Sequence, residues 1–165
     1  MIAVFDVDYK DKQAQCACLL IEDWQAITYK TYKVVIDNVA DYESGSFYKR
    51  ELPCLLQTLS QISEPIDCIV VDSYVTLGEK KGLGAYLYEE LPFRIPIIGV
   101  AKTKFLSADD VELLRGESVK PLYITSLGIE QQEARLLIEQ MAGEYRLPFI
   151  LKEADRICRI WDTDI

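Results

Sequence analysis

The chain has 165 residues, half of them hydrophobic, and a formal net charge of −9; that is enough for one domain around one core, with little left for a second. The negative charge excludes a protein that coats nucleic acid non-specifically, because such affinity comes from Lys and Arg neutralising phosphates. It does not exclude a nuclease, since cations bound by a carboxylate cluster reverse the local field.

The first element is a strand, IAVFDVDY, in which Asp6 and Asp8 interrupt an apolar run of Ile2, Val4 and Val7. Alternate side chains of a strand share a face, so the two carboxylates point the same way about 7 Å apart. CACLLIED and WQAITYKTYKVVID are rich in aliphatic, aromatic and β-branched residues and complete a three-stranded antiparallel meander. After a loop over 40–45, Phe47, Leu52, Leu55, Leu56, Leu59 and Ile62 recur at helical spacing, with Pro53 expected in the first turn. DCIVVD reads as a strand buried on both faces and ending at Asp72, followed by a glycine-rich loop into a short helix, GEKKGLGAYLYEEL. IPIIGVA and KPLYIT are two further buried strands, and SADDVELLRG between them predicts one or two helical turns. A helix with Ala134, Leu137, Ile138, Met141 and Tyr145 on one stripe and a short closing helix, KEADRICRIW, complete the chain. The order predicts an α/β fold, a mixed sheet covered on both faces, with any site at the carboxyl ends of its parallel strands.

No apolar run reaches the roughly 18 residues of a membrane span, and the N-terminus lacks the basic flank of a signal peptide, so one cytosolic domain over 1–165 is expected. Five cysteines without a C-x-x-C pair, and no histidine at all, point to packed reduced thiols rather than a zinc site. Acid–base or metal chemistry must then run on carboxylates and lysine. Asp6, Glu51 and Asp72 stand out, and Asp6 and Asp72 converge if their strands are neighbours. Such a cluster favours hard cations, Mg²⁺ or Mn²⁺. An acid at a strand end also serves as a helix cap or meets solvent, whereas a carboxylate in mid-strand is costly to bury without a partner. Composition and spacing leave both readings open.

FDVDY, YESGSFYKRELP, IVVD, IPIIGVAKTKF and KPLYIT, in this order, resemble the endonuclease V repair nucleases, which have a ribonuclease H-like fold of three antiparallel strands followed by parallel ones. Tyr42, Gly45, Arg50, Glu51 and Pro53 match the family's loop-and-helix signature in register. In RLPFILKEADRICR, Asp155 stands where the family usually has histidine. The resemblance implies a monomeric, Mg²⁺-dependent endonuclease, with Mn²⁺ as substitute, cutting a phosphodiester near a deaminated base such as hypoxanthine in DNA or RNA. It implies Asp6, Glu51, Asp72 and Asp155 as metal ligands, Lys102 beside the scissile phosphate, and Tyr42 in a strand-separating wedge; Asp8 borders the site or is solvated. Gly45 and Ser73 are further expected nucleic-acid contacts, and Lys80 and Lys81 are expected either to contact phosphate or to form a solvated turn.

The departures from the family lie in the base pocket. Ser73 and Val75 replace glycines, Gly78 and Glu79 replace a histidine–proline pair, and Ser44 replaces a wedge proline. A side chain in place of glycine is expected to narrow or reshape that pocket. A non-catalytic interaction module on the same fold, or a nuclease with another substrate, is the competing reading. GEKKGLG lacks the ending of a phosphate-binding P-loop, and WDTDI at the C-terminus has no assigned role.

Overall fold

The computed structural model describes residues 1–41 and 47–161. In chain order the elements are β1 (Ile2–Lys10), β2 (Gln13–Ile21), β3 (Lys30–Ile36), α1 (Phe47–Leu59), β4 (Cys68–Val71), β5 (Thr76–Leu77), β6 (Lys80–Lys81), α2 (Leu83–Glu90), β7 (Ile97–Ala101), β8 (Val111–Leu113), β9 (Leu122–Leu127), α3 (Gln131–Gln140) and α4 (Phe149–Cys158). Seven strands form one sheet in the order β3-β2-β1-β4-β7-β9-β8, and β5 and β6 make a small hairpin.

The expected meander is present, with β1 antiparallel to β2 and β2 antiparallel to β3. Next to it β4 and β7 run parallel to β1, and both are buried throughout, as their continuous apolar sequences require. Alternation along β1 divides the core. Ile2 and Val4 face α3 and α4, while Ala3 and Phe5 face α1 and α2. All five cysteines are free and buried. Among the described residues no helix is long and apolar enough to cross a membrane.

The structure departs from the expected elements at four places. SADDVELLRG is not helical; Val111 and Leu113 flank exposed Glu112 with a period of two, and β8 pairs with β9 at the sheet edge. β9 itself runs antiparallel to β7, so the parallel part of the sheet is β1, β4 and β7. Pro53 lies in the second turn of α1 rather than the first, on the exposed face of the helix. Tyr145 lies beyond α3 and is 67% exposed, off the buried stripe formed by Ala134 and Ile138.

Candidate active site

Strand register assembles the centre of the site. Phe5 pairs with Val71 and Val71 with Gly99, so Asp6 in β1 and Asp72 after β4 lie at the same level of adjacent parallel strands. Lys102 follows β7, and its Nζ is 3.1 Å from Asp72 Oδ2. Glu51 arrives from α1, where Glu51, Cys54, Leu55 and Thr58 form one buried stripe; the apolar members carry the carboxylate inward until it is 6% exposed. Asp155 arrives from α4, whose buried Ile150, Leu151, Ala154 and Ile157 pin the helix to the sheet. Carboxylate oxygens of Asp6 and Asp155 and Sγ of Cys158 all lie within 4.8 Å of one another. The five residues singled out by the sequence as catalytic are therefore drawn together from five elements or strand ends.

Burial and mutual repulsion dominate the electrostatics. Asp6 is pushed up to about 7, first by burial and then by the Asp72 charge. Glu51 is pushed up to about 8 by burial and by Asp6, against the hydrogen bond from Tyr9. Burial also raises Asp72, with Lys102 opposing the rise. Burial works against the charge of Lys102, but Asp72, Asp6 and Asp155 outweigh it, so its pKa rises and the side chain stays an ammonium. Asp6, Glu51 and Asp72 crowd around Lys102 in a partly dry space, Asp155 is paired with Arg159 at 3.0 Å, and a divalent cation would offset the negative charge left over. The donor set, oxygen without histidine, fits Mg²⁺ or Mn²⁺. The Cys158 thiol is held protonated by burial, and a thiol is no ligand for a hard cation.

Three contacts at this site were not legible in the sequence. The Tyr9 hydroxyl donates to Glu51 Oε2 at 3.2 Å, and the Arg50 guanidinium stacks on the Tyr9 ring at 3.6 Å. Alternation in β1 already turned Tyr9 toward the α1 side with Phe5, but nothing named its partner. Trp161 Nε1 donates to Asp8 Oδ2 at 2.9 Å, so Asp8 is tethered to the segment after α4. Tyr9→Phe is expected to lower cleavage at pH 7 by about tenfold, since hydrogen bonds to charged groups contribute roughly 1.5–3 kcal/mol. It should also move the acidic limb of the pH–rate profile upward, because Glu51 loses the donor that favours its ionised form; an unmoved limb would rule out this tuning.

Beside the carboxylates is a cavity of about 210 Å³ lined by residues that include Tyr48, Ser73, Tyr74, Leu77, Leu83 and Phe105. Ser73 lines it, and so does Lys81. Val75 does not; its side chain is fully buried among Leu83 and its neighbours, and its N–H donates to Thr125 Oγ1 at 2.8 Å. Gly99 permits this packing, because a Cβ there would sit 2.4 Å from the Ser73 carbonyl oxygen. Gly78 and Glu79 line a neighbouring opening of about 570 Å³ with Lys80 and Phe105. Lys80 and Lys81 are exposed on the β5–β6 hairpin, Lys81 in an ion pair with Glu89 at 2.5 Å. Tyr42 and Gly45 lie outside the described residues.

The family model described as Endonuclease V matches residues 1–116. Endonuclease V of Xylella fastidiosa (strain 9a5c) is 30% identical over 181 aligned residues, covering 95% of this chain and 75% of the relative. The crystal structure of endonuclease V from Bacillus subtilis superposes with a TM-score of 0.79 at 19% identity, covering 99% of this chain and 80% of that one. Endonuclease V from Ciona intestinalis, solved with a 24mer DNA containing an inosine followed by a ribo-adenosine, gives a TM-score of 0.75 at 16% identity, covering 96% and 83%. The structural matches establish the fold, and the family match extends over the strands and helix that carry Asp6, Glu51, Asp72 and Lys102. On that evidence the chain belongs to the endonuclease V family.

Proposed function

We infer that this chain is a metal-dependent endonuclease hydrolysing a phosphodiester bond near a deaminated base, hypoxanthine above all, in DNA or RNA. The observation that carries the reading is the convergence of Asp6, Glu51, Asp72 and Asp155 at the end of the parallel strands, with Lys102 paired to Asp72 and Arg159 to Asp155. Family membership and the inosine-containing DNA bound by the Ciona relative support it. Asp6, Glu51, Asp72 and Asp155 would hold Mg²⁺ or Mn²⁺, which when bound would supply an activated water and stabilise the departing oxygen.

The chain's own residues do the rest. Strand register fixes Asp6 and Asp72, Tyr9 orients Glu51, and Asp155 contributes an oxygen where relatives usually place histidine. Lys102 keeps its proton and offsets charge that grows on the scissile phosphate. Ser73 borders the base pocket, Lys80 and Lys81 meet backbone phosphates, Gly45 contacts nucleic acid, and the family resemblance assigns Tyr42 to strand separation. The four carboxylates converge within one chain, which supports a monomeric enzyme.

The test is cleavage of labelled single-stranded and duplex oligonucleotides, with and without one inosine, in Mg²⁺, Mn²⁺ or chelator, beside an Asp72→Ala control. Inosine-dependent cutting lost in chelator and in the control is expected. Cutting indifferent to inosine would point to another phosphodiester substrate. Silence with every metal would favour the non-catalytic binding module, the reading to which the altered pocket and the net charge of −9 lend weight.

A further inference from the structure

Lys102 is the first residue after β7, where the backbone leaves the sheet, and its side chain has four rotatable bonds between Cα and Nζ. The position of the ammonium therefore depends on how firmly the backbone at 102 is held. The ladder between β7 and β9 pairs Ala101 with Tyr123 at this end. Beyond it, Arg146 joins the two strands from outside the sheet. A single guanidinium nitrogen, Nη2, donates to the carbonyl of Lys102 at 2.6 Å and to the carbonyl of Pro121 at 2.7 Å. Pro121 has no N–H of its own to offer Lys102, so a donor from elsewhere suits this position.

Arg146 is itself anchored. The segment from Met141 to Arg146 is irregular, yet its carbonyls are gathered by one side chain, Arg115, which is 6% exposed. Arg115 donates to Met141 O at 2.7 Å, to Gly143 O at 3.1 Å and to the carbonyl of Tyr145. Gly116, at φ +62°, turns next to the Glu144 carbonyl and lets the two segments touch. A continuous path thus runs from Arg115 through the 141–146 segment to Arg146 and on to the backbone of Lys102. Among the described residues Arg146 Nε is buried with no hydrogen-bond partner, an unfavourable arrangement that the two carbonyl contacts of Nη2 offset.

We propose that Arg146 is a positioning residue for Lys102, holding the backbone from which the ammonium reaches Asp72 and the scissile phosphate. The proposal rests on the reading of Lys102 given above. It predicts a defect confined to the chemical step, because misplacing a charged group by about 1 Å costs on the order of 100-fold in rate without weakening substrate binding.

The experiment is a double-variant cycle of Arg146→Ala and Lys102→Ala, read as kcat and KM on an inosine oligonucleotide, with melting temperatures alongside. Arg146→Ala is expected to lower kcat about 100-fold with KM within about twofold of the parent. In the Lys102→Ala background the same change should cost little more, since the group it positions is gone. Arg146→Gln, shorter and neutral, repeats the measurement if the alanine variant does not fold, and should show the same non-additivity. Losses that multiply in full in the double variant, or a raised KM at unchanged kcat, would overturn the positioning role while leaving Lys102 catalytic. A fully active Lys102→Ala protein would overturn the underlying reading and this proposal with it.

Discussion

Asp6→Asn is expected to lower cleavage by about 10³-fold while raising the melting temperature of the metal-free protein. The loss follows from removing the carboxylate on which β1, β4 and α4 converge. The gain follows from the same geometry. Burial and the Asp72 charge move Asp6 from the ordinary 3.8 to about 7, a displacement equivalent to roughly 4 kcal/mol against the ionised form. Asparagine has nearly the same shape, and its oxygen still accepts the Val7 N–H, which now reaches Asp6 Oδ1 at 2.9 Å. Allowing for relaxation, a rise of about 5 °C at pH 8 is expected for a domain of this size. Differential scanning calorimetry in chelator, and again in Mn²⁺, checks both halves. The parent should gain more from Mn²⁺ than the variant does, and a variant that melts lower than the parent without metal would refute the account of a mutually repelling carboxylate cluster.

The second large effect is on pH dependence. In the unfolded chain Asp6 and Glu51 ionise at their ordinary 3.8 and 4.5, whereas in the metal-free fold they ionise near 7 and 8. Between those limits the folded protein binds protons that the unfolded chain has released. Their stabilising contribution is complete below about pH 4 and is lost as pH rises through 7 to 8. Metal-free stability, measured by urea denaturation, should fall over that window. Mg²⁺ or Mn²⁺ binds the ionised groups of the folded state, so the stability restored by excess metal should grow over the same window, following mass action. Metal-free stability that is flat or rises from pH 5 to 8 would contradict the raised values.

Much of this site could be read before any coordinates existed, because its parts are encoded locally. β1 announces itself by alternation and β4 by an unbroken apolar run, and once the two strands are paired in register Asp6 and Asp72 lie side by side. Glu51 was legible because Tyr42, Gly45, Arg50 and Pro53 place it in register with the family's loop-and-helix signature. What could not be read depends on contacts between distant segments. The pairing of Trp161 with Asp8 spans nearly the whole chain, and the clasp of Arg146 on Lys102 and Pro121 joins three separate segments. β8 was missed because three residues are too few to establish a period against an ambiguous background. The direction of β9 was missed because a buried strand reads the same whether it runs parallel or antiparallel.

The two faces of the sheet bear on how metal loading is felt by the rest of the molecule. Asp6 looks toward α4, while Glu51 reaches the strand ends from α1 on the opposite side. A cation held by both would act as a rivet driven through the rim of the sheet, fastening its front cover to its back one. Chelation then loosens two helices that never touch the same face, and amide hydrogen exchange in α1 and α4 should quicken together, as one cooperative unit, when the metal is withdrawn.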